Sequence, residues 1–234
     1  MICTKGLNVG YNKVVLKVAD MTLNAGVTYI LLGKNGSGKS TLLKTLSAQI
    51  KPISGTIEID ENPIDSIAYR ELPKLISFVS SKLGETDYLT AREYVALGRA
   101  PYTNGLGRLH EADLFKIDSA IEKLGVQHLS NRFINELSDG EKQLVAIAKS
   151  LAQETKVILL DEPTAFLDYT NKVKIMERLT EVAKEYNKCI IMSSHDLDVS
   201  LNSDCPFLVI EQHTGTLIQL EESTAKDELI SKAY

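Results

Sequence analysis

The sequence predicts an α/β protein with an all-helical stretch set into it, and three observations carry the prediction. VTYILLG, residues 27–33, is apolar almost throughout and runs straight into a glycine-rich turn and a helix, as a buried central strand does. Across 82–151 strand patterns vanish and helical spacing takes over. From KVILLDEP to KCIIMSSH, strand and helix alternate again.

Taken in order, LKVADMTLN alternates as a strand does, and the central strand follows it. KPISGTIEID puts turn formers before β-branched alternation, which predicts a hairpin strand, and LISFVS reads as another strand. The helical stretch shows its period in AREYVALG, EADLFKIDSAIEKLG and EKQLVAIAKSLAQ, the last with Leu144, Ile147, Ala148 and Leu151 on one face. RAPYTNGLGR between two of these reads as a solvated loop. A long helix is expected around 172–185, and FLVIEQHTGTLIQL is expected to form a hairpin turning at 213–215.

A net charge of −5 provides no electrostatic case for binding nucleic acid. Cys3, Cys189 and Cys205 lack metal-ligand spacing and read as reduced thiols. MICTKGLNVGYNK has no apolar signal core, and no apolar run approaches the ~20 residues that span a bilayer. Work at a membrane would therefore need another subunit as anchor.

Gly33, Lys34, Asn35, Gly36, Ser37, Gly38, Lys39 and Ser40 match the P-loop pattern G-x-x-x-x-G-K-[ST], between a buried strand and a helix as the pattern requires. Glycines let backbone N–H groups converge on phosphate oxygens, Lys39 brings a charge to the β/γ-phosphates, and the Ser40 hydroxyl can ligate Mg2+. VILLDEP ends an apolar strand in two acids. Asp161 suits a Mg2+ ligand opposite the P-loop serine, and Glu162 suits the general base that polarises the attacking water. Without the P-loop such a pair would more simply be solvated.

With both halves in place, the chain resembles the ATP-binding subunits of ABC transporters over nearly its whole length. GKNGSGKST, which extends the loop to Thr41, then LSDGEKQ, VILLDEP, AFLD and SSHD fall in that family's order. The resemblance implies a P-loop NTPase (RecA-like) core with an antiparallel β subdomain, 1–81 and 152–234, and an inserted helical subdomain, 82–151, in a single domain 1–234. It implies that Tyr11 stacks on adenine, although an amphipathic tyrosine at a strand end reads the same way. It also implies that Asp168 couples two sites at a subunit boundary and that His195 reaches the γ-phosphate. EYVALGRAPYTNGLGRLHEAD and LSDGEKQ are similar to the ATPases of importers for iron–siderophore complexes, haem and vitamin B12. The implied partners are a second copy of the chain, integral-membrane permease subunits and, indirectly, an extracytoplasmic substrate-binding protein. The implied location is peripheral, on the cytoplasmic face of the inner membrane.

LSDGEKQ has two compatible readings. Ser138 and Glu141 form a capping box, and acids suit a first helical turn. Gly140 is left over, since glycine there costs about 0.5–1 kcal/mol relative to alanine and asks for a close neighbour. The family resemblance names that neighbour as ATP held by the other subunit and clasped by Ser138, Asp139, Gly140 and Glu141. Asp139 stands where the family usually has glycine, and it is expected to point to solvent or a basic neighbour. Ser81 stands where the family has a Mg2+-contacting glutamine, so either Ser81 works through water or Lys82 or Glu85 substitutes. The expected function is ATP hydrolysis driving uptake. The rivals are a low-turnover nucleotide sensor and a soluble ATPase of the same family.

Overall fold

A computed structural model describes residues 1–81, 88–104, 107–220 and 231–232. Its N-terminal strands are β1 (Ile2–Gly10), β2 (Val14–Val18), β3 (Met21–Leu23) and β4 (Thr28–Leu32), and α1 (Lys39–Leu46) follows. Next come β5 (Ser54–Ile59), β6 (Asn62–Pro63), α2 (Leu72–Leu75) and β7 (Ile76–Val79). The helical stretch holds α3 (Ala91–Ala96), α4 (Glu111–Leu124) and α5 (Asp139–Ala152). The chain then alternates through β8 (Val157–Leu160), α6 (Tyr169–Glu185), β9 (Cys189–Ser194), α7 (Leu197–Leu201), β10 (Phe207–Glu211) and β11 (Thr216–Leu220).

The described strands form one eleven-stranded sheet of two characters. β10, β4, β9, β8 and β7 lie side by side and parallel. β1 pairs antiparallel with β2, β3 and β5, and the β10–β11 hairpin joins this wing to the parallel part through β2. Every residue of β4 and β8 is buried, as strands covered on both faces must be. Tyr29 and Leu31 pack with Leu42 and Leu43 of α1, while Ile30 and Leu32 share the other face with Val145 of α5 and Leu179 of α6. Burying each such side chain contributes about 1.5–3 kcal/mol.

One strand adds to those the sequence marks, and one expectation is corrected. The nine-residue β1 was not anticipated, because its burial runs Ile2, Thr4 and then Leu7, Val9. An irregularity in its pairing between Lys5 and Asn8, with Gly6 at φ 55°, shifts the alternation by one residue and hides the period. RAPYTNGLGR is not simply a solvated loop. Leu97–Tyr102 is a 3-10 turn, and Arg99 within it is buried. Gly105 and Leu106 lie outside the described residues. In α5 the predicted face holds, with Ile147, Ala148 and Leu151 buried and Leu144 partly so.

The parallel register gathers the chain's special residues. Leu32 lies beside Ser194, Leu160 beside Met192, and Val79 beside Leu160. The four strands thus end at one edge, which receives the loop after β4, the acids after β8, His195 after β9 and Ser81 after β7. Such an edge is where open α/β sheets bind ligands.

Candidate functional site

The loop at 33–40 is shaped for an anion. Gly38 precedes α1 at φ 106°, a conformation that strains any residue with a side chain, and no side chain caps the helix. The first amides of α1 therefore remain open to a ligand. A Cβ on Gly33 would lie 2.8 Å from Ser37 Oγ, so glycine there makes room for that hydroxyl. Ser37 Oγ is buried and has no hydrogen-bond partner among the described residues, the condition of a group awaiting one from outside. Lys39 Nζ donates to Gly33 O at 2.7 Å and Lys34 O at 3.2 Å. Burial pushes the Lys39 ammonium below the ordinary lysine range, while Glu162 and Asp161 pull it back. Ser40 is exposed at the start of α1, Thr41 half-buried behind it, and Asn35 and Gly36 exposed at the loop's tip.

Facing the loop's lysine, the acid pair is tied to β9 by one hydroxyl. Ser193 Oγ donates to Asp161 Oδ1 at 2.8 Å and accepts the Glu162 N–H at 2.8 Å. Asp161 N also donates to Val79 O, which extends the β7–β8 ladder to the acid. Glu162 sits at φ 52°, a left-handed conformation costing about 1–3 kcal/mol for such a residue and kept only where the surroundings hold it. The turn brings Glu162 Oε1 within 3.0 Å of His195 Nδ1. Ser193 opens the SSHD motif, but nothing in the sequence ties it to the acid pair: it is 31 residues from Glu162 and reads as one more strand position ahead of His195.

The donor set suits Mg2+. Ser40 and Asp161 offer hard oxygens, and the described residues hold no group of three or more His, Cys, Asp or Glu that would bind a metal alone. Mg2+ characteristically takes one or two protein oxygens and completes its shell with water and phosphate.

The remaining predicted residues divide. Tyr11 stands exposed in the turn between β1 and β2, and β2 reaches the loop where Val15 and Leu16 border Gly38. Ser81 is half-buried two residues beyond β7, whereas Lys82 and Glu85 lie outside the described residues. Asp168 is the N-cap of α6, its carboxylate accepting the Asn171 N–H at 2.9 Å. Ser138 and Glu141 form the expected capping box, with Glu141 Oε2 accepting both the Ser138 N–H and hydroxyl at 2.8 Å. Those two bonds, then Arg132, hold the Glu141 carboxyl below its usual range. Asp139 points outward and lies 3.6 Å from Lys142. Gly140 has a neighbour within its own chain: a Cβ there would come 3.0 Å from Leu167 Cδ2 and 3.1 Å from Phe166 O. The glycine thus admits the loop ahead of Asp168 and needs no nucleotide to explain it. Among the described residues no hydrogen bond or ion pair joins 138–141 to 33–41, Asp161, Glu162 or His195.

A buried strand, a phosphate loop at a helix start and an acid pair on a parallel strand one removed from it define a P-loop ATPase fold. The model of the ABC transporter family matches residues 16–165, and the chain belongs to that family. An uncharacterised ABC transporter ATP-binding protein of Methanocaldococcus jannaschii is 34% identical over 100% of this chain and 81% of its own length. The iron(3+)-hydroxamate import ATP-binding protein FhuC of Bacillus subtilis is 34% identical over 96% of this chain and 82% of its own length. Among solved structures, a metal-chelate-type ABC transporter in an inward-facing conformation superposes with a TM-score of 0.84 at 26% identity, covering 99% of this chain and 88% of that one. CbiO1 of Clostridium perfringens, part of the transporter complex CbiONQ, gives 0.81 at 32% identity over 99% and 90%. A dimeric post-hydrolysis state of the cassette MJ0796 with ADP and Pi gives 0.82 at 26% identity over 96% and 100%. The chain is accordingly an ATP-binding ABC ATPase, and none of its described helices is long and apolar enough to cross a membrane.

Proposed function

We propose that the chain is the ATP-hydrolysing subunit of an importer for a metal chelate and that it works as a head-to-tail pair. Each of two ATP molecules lies between 33–41 of one copy and 138–141 of the other. The supporting observation is the division of the site within one chain, where 138–141 makes no bond to the cluster at the sheet edge. Ser138, Asp139, Gly140 and Glu141 are then a free face for a second copy, and Asp168 at the neighbouring turn couples the two sites. The dimeric relative supports the pairing.

Tyr11 stacks on adenine, the open amides and Ser37 take phosphate oxygens, and Lys39 turns from the loop carbonyls to the β/γ-phosphates. Glu162, held by His195, takes a proton from water as that water's oxygen bonds to the γ-phosphorus and the bond to the ADP oxygen breaks. ADP and inorganic phosphate leave. Mg2+, held by Ser40 and Asp161 with Ser81 acting through water, supplies positive charge to the phosphate oxygens.

ATP binding closes the pair, and hydrolysis reopens it to drive a permease docked on the helical stretch. The names of the iron(3+)-hydroxamate and metal-chelate relatives support an iron chelate as cargo; the resemblance of the helical stretch extends the proposal to haem or a corrinoid, delivered by an extracytoplasmic binding protein. The subunit then sits peripherally at the cytoplasmic face of the cell membrane.

A Glu162→Gln variant tests the core of this reading: phosphate release falls at least ~100-fold while an ATP-dependent dimer accumulates in sizing experiments. Wild-type turnover in that variant would overturn it. Serine at 81 favours a second reading, a nucleotide sensor, which predicts ATP binding with negligible phosphate release even beside the permease.

A further inference from the structure

We propose that Ser193 is the positioning residue of the hydrolytic site, its single hydroxyl setting the orientation of the Asp161 carboxylate and the left-handed turn at Glu162 together. The inference rests on the roles given above to those two acids. Asp161 and Ser193 each stand one residue past the register pair Leu160 and Met192, so parallel pairing sets them side by side. Leu160 and Met192 belong to the core that faces α5 and α6, so the next residues turn to the opposite face, on which α1 packs.

The bonding capacity of Ser193 is used on both acids. Its proton goes to Asp161 Oδ1 at 2.8 Å, and its oxygen takes the Glu162 N–H at 2.8 Å. Ser193 is fully buried (0% exposed), so water cannot stand in for either bond. The first bond fixes which way the carboxylate presents its free oxygen. The second holds the backbone of Glu162 at φ 52°, and that conformation carries its side chain to His195 instead of to the face opposite Asp161. Loss of the hydroxyl therefore loosens the metal ligand and the base at once, and leaves the phosphate loop untouched.

The experiment compares Ser193→Ala, Ser193→Thr and Asp161→Asn with the unaltered full chain. Equilibrium Mn2+ binding in the presence of ADP is read by electron paramagnetic resonance, alongside kcat and KM for ATP, nucleotide affinity in EDTA and the melting temperature. Ser193→Ala is expected to weaken Mn2+ binding and lower kcat by about 10-fold or more each, as loss of a group that orients a metal ligand does. Nucleotide affinity in EDTA stays at the wild-type value, and Ser193→Thr, which keeps the hydroxyl, recovers both losses. Wild-type Mn2+ affinity and kcat in Ser193→Ala overturn the proposal. So does a Ser193→Thr protein that melts normally and recovers neither, because packing would then be the cause. Failure of Asp161→Asn to weaken Mn2+ binding would instead overturn the assignment of Asp161 as metal ligand. A weakened Asp161→Asn beside an unaffected Ser193→Ala sinks only the role of Ser193.

Discussion

At the scale of single residues, side chains here answer two demands at once, and substitutions can separate them. Ser138 caps α5 with its hydroxyl already engaged by Glu141. Ser138→Ala should cost about 1 kcal/mol in urea unfolding, whereas Ser138→Asn should recover that stability. If the serine also meets ATP across a dimer, neither variant will form the ATP-dependent pair normally, and sizing with ATP decides it. Gly38 is a second case. Alanine at φ 106° would be strained and would bring a Cβ to 3.1 Å from Val15 Cγ1. Gly38→Ala should therefore lose about 1–3 kcal/mol and most ATP binding together. The P-loop was legible in the sequence because its chemistry is local: glycine spacing closed by Lys39 and Ser40, all within eight positions. Ser193 was not, since its meaning depends wholly on the residue lying beside it in the next strand.

At the scale of elements, the helical stretch is held together by a buried ion pair as well as by apolar packing. Arg99 Nε donates to Asp113 Oδ1 of α4 at 2.9 Å, and Arg99 Nη1 donates to Ala152 O at the end of α5 at 2.8 Å. The guanidinium also lies 4.1 Å from the Tyr102 ring centre. Arg99→Met leaves the Asp113 charge buried without its counter-ion, so a loss of about 3–5 kcal/mol is expected in denaturant unfolding, partly recovered when Asp113→Leu is added. Asp113 also accepts the His110 N–H at the start of α4, and that bond first, then Arg99, holds its carboxyl below the ordinary 3.8. The sign follows: a depressed folded-state value stabilises fully above the unfolded value and is lost as pH falls through the folded one. Acid titration from pH 5 downward should therefore show Asp113→Asn losing less stability than wild type below about pH 4. Glycine, proline and polar residues mark the turn holding Arg99 as a loop in a linear reading, and the carboxylate that pairs with Arg99 is fourteen residues away.

At the scale of the whole molecule, the proposed site is complete only when two copies meet, and mixing experiments test that arrangement. Lys39→Ala removes one half of the site and Ser138→Asn the other, so each homodimer should be nearly inactive. Mixed together, they should regain measurable phosphate release, because one of the two sites in a heterodimer would carry Lys39 from one copy and Ser138 from the other. No recovery on mixing would place both halves in one chain. Pairing must also overcome the repulsion of two chains of net charge −5, which leaves the favourable energy to the enclosed nucleotide and its cation.

By itself the sequence determined the α/β class, the buried strand ahead of the phosphate loop, the acid pair and the capped start of α5, because each is written in neighbouring residues or a short period. The tertiary structure alone decided which distant residues meet: Ser193 with both acids, Glu162 with His195, Gly140 with the turn at Phe166–Leu167. The bulged β1 and the buried Arg99 belong there too. The physical reason is that periodicity fixes the face a side chain presents, whereas strand register and helix packing fix what stands opposite it.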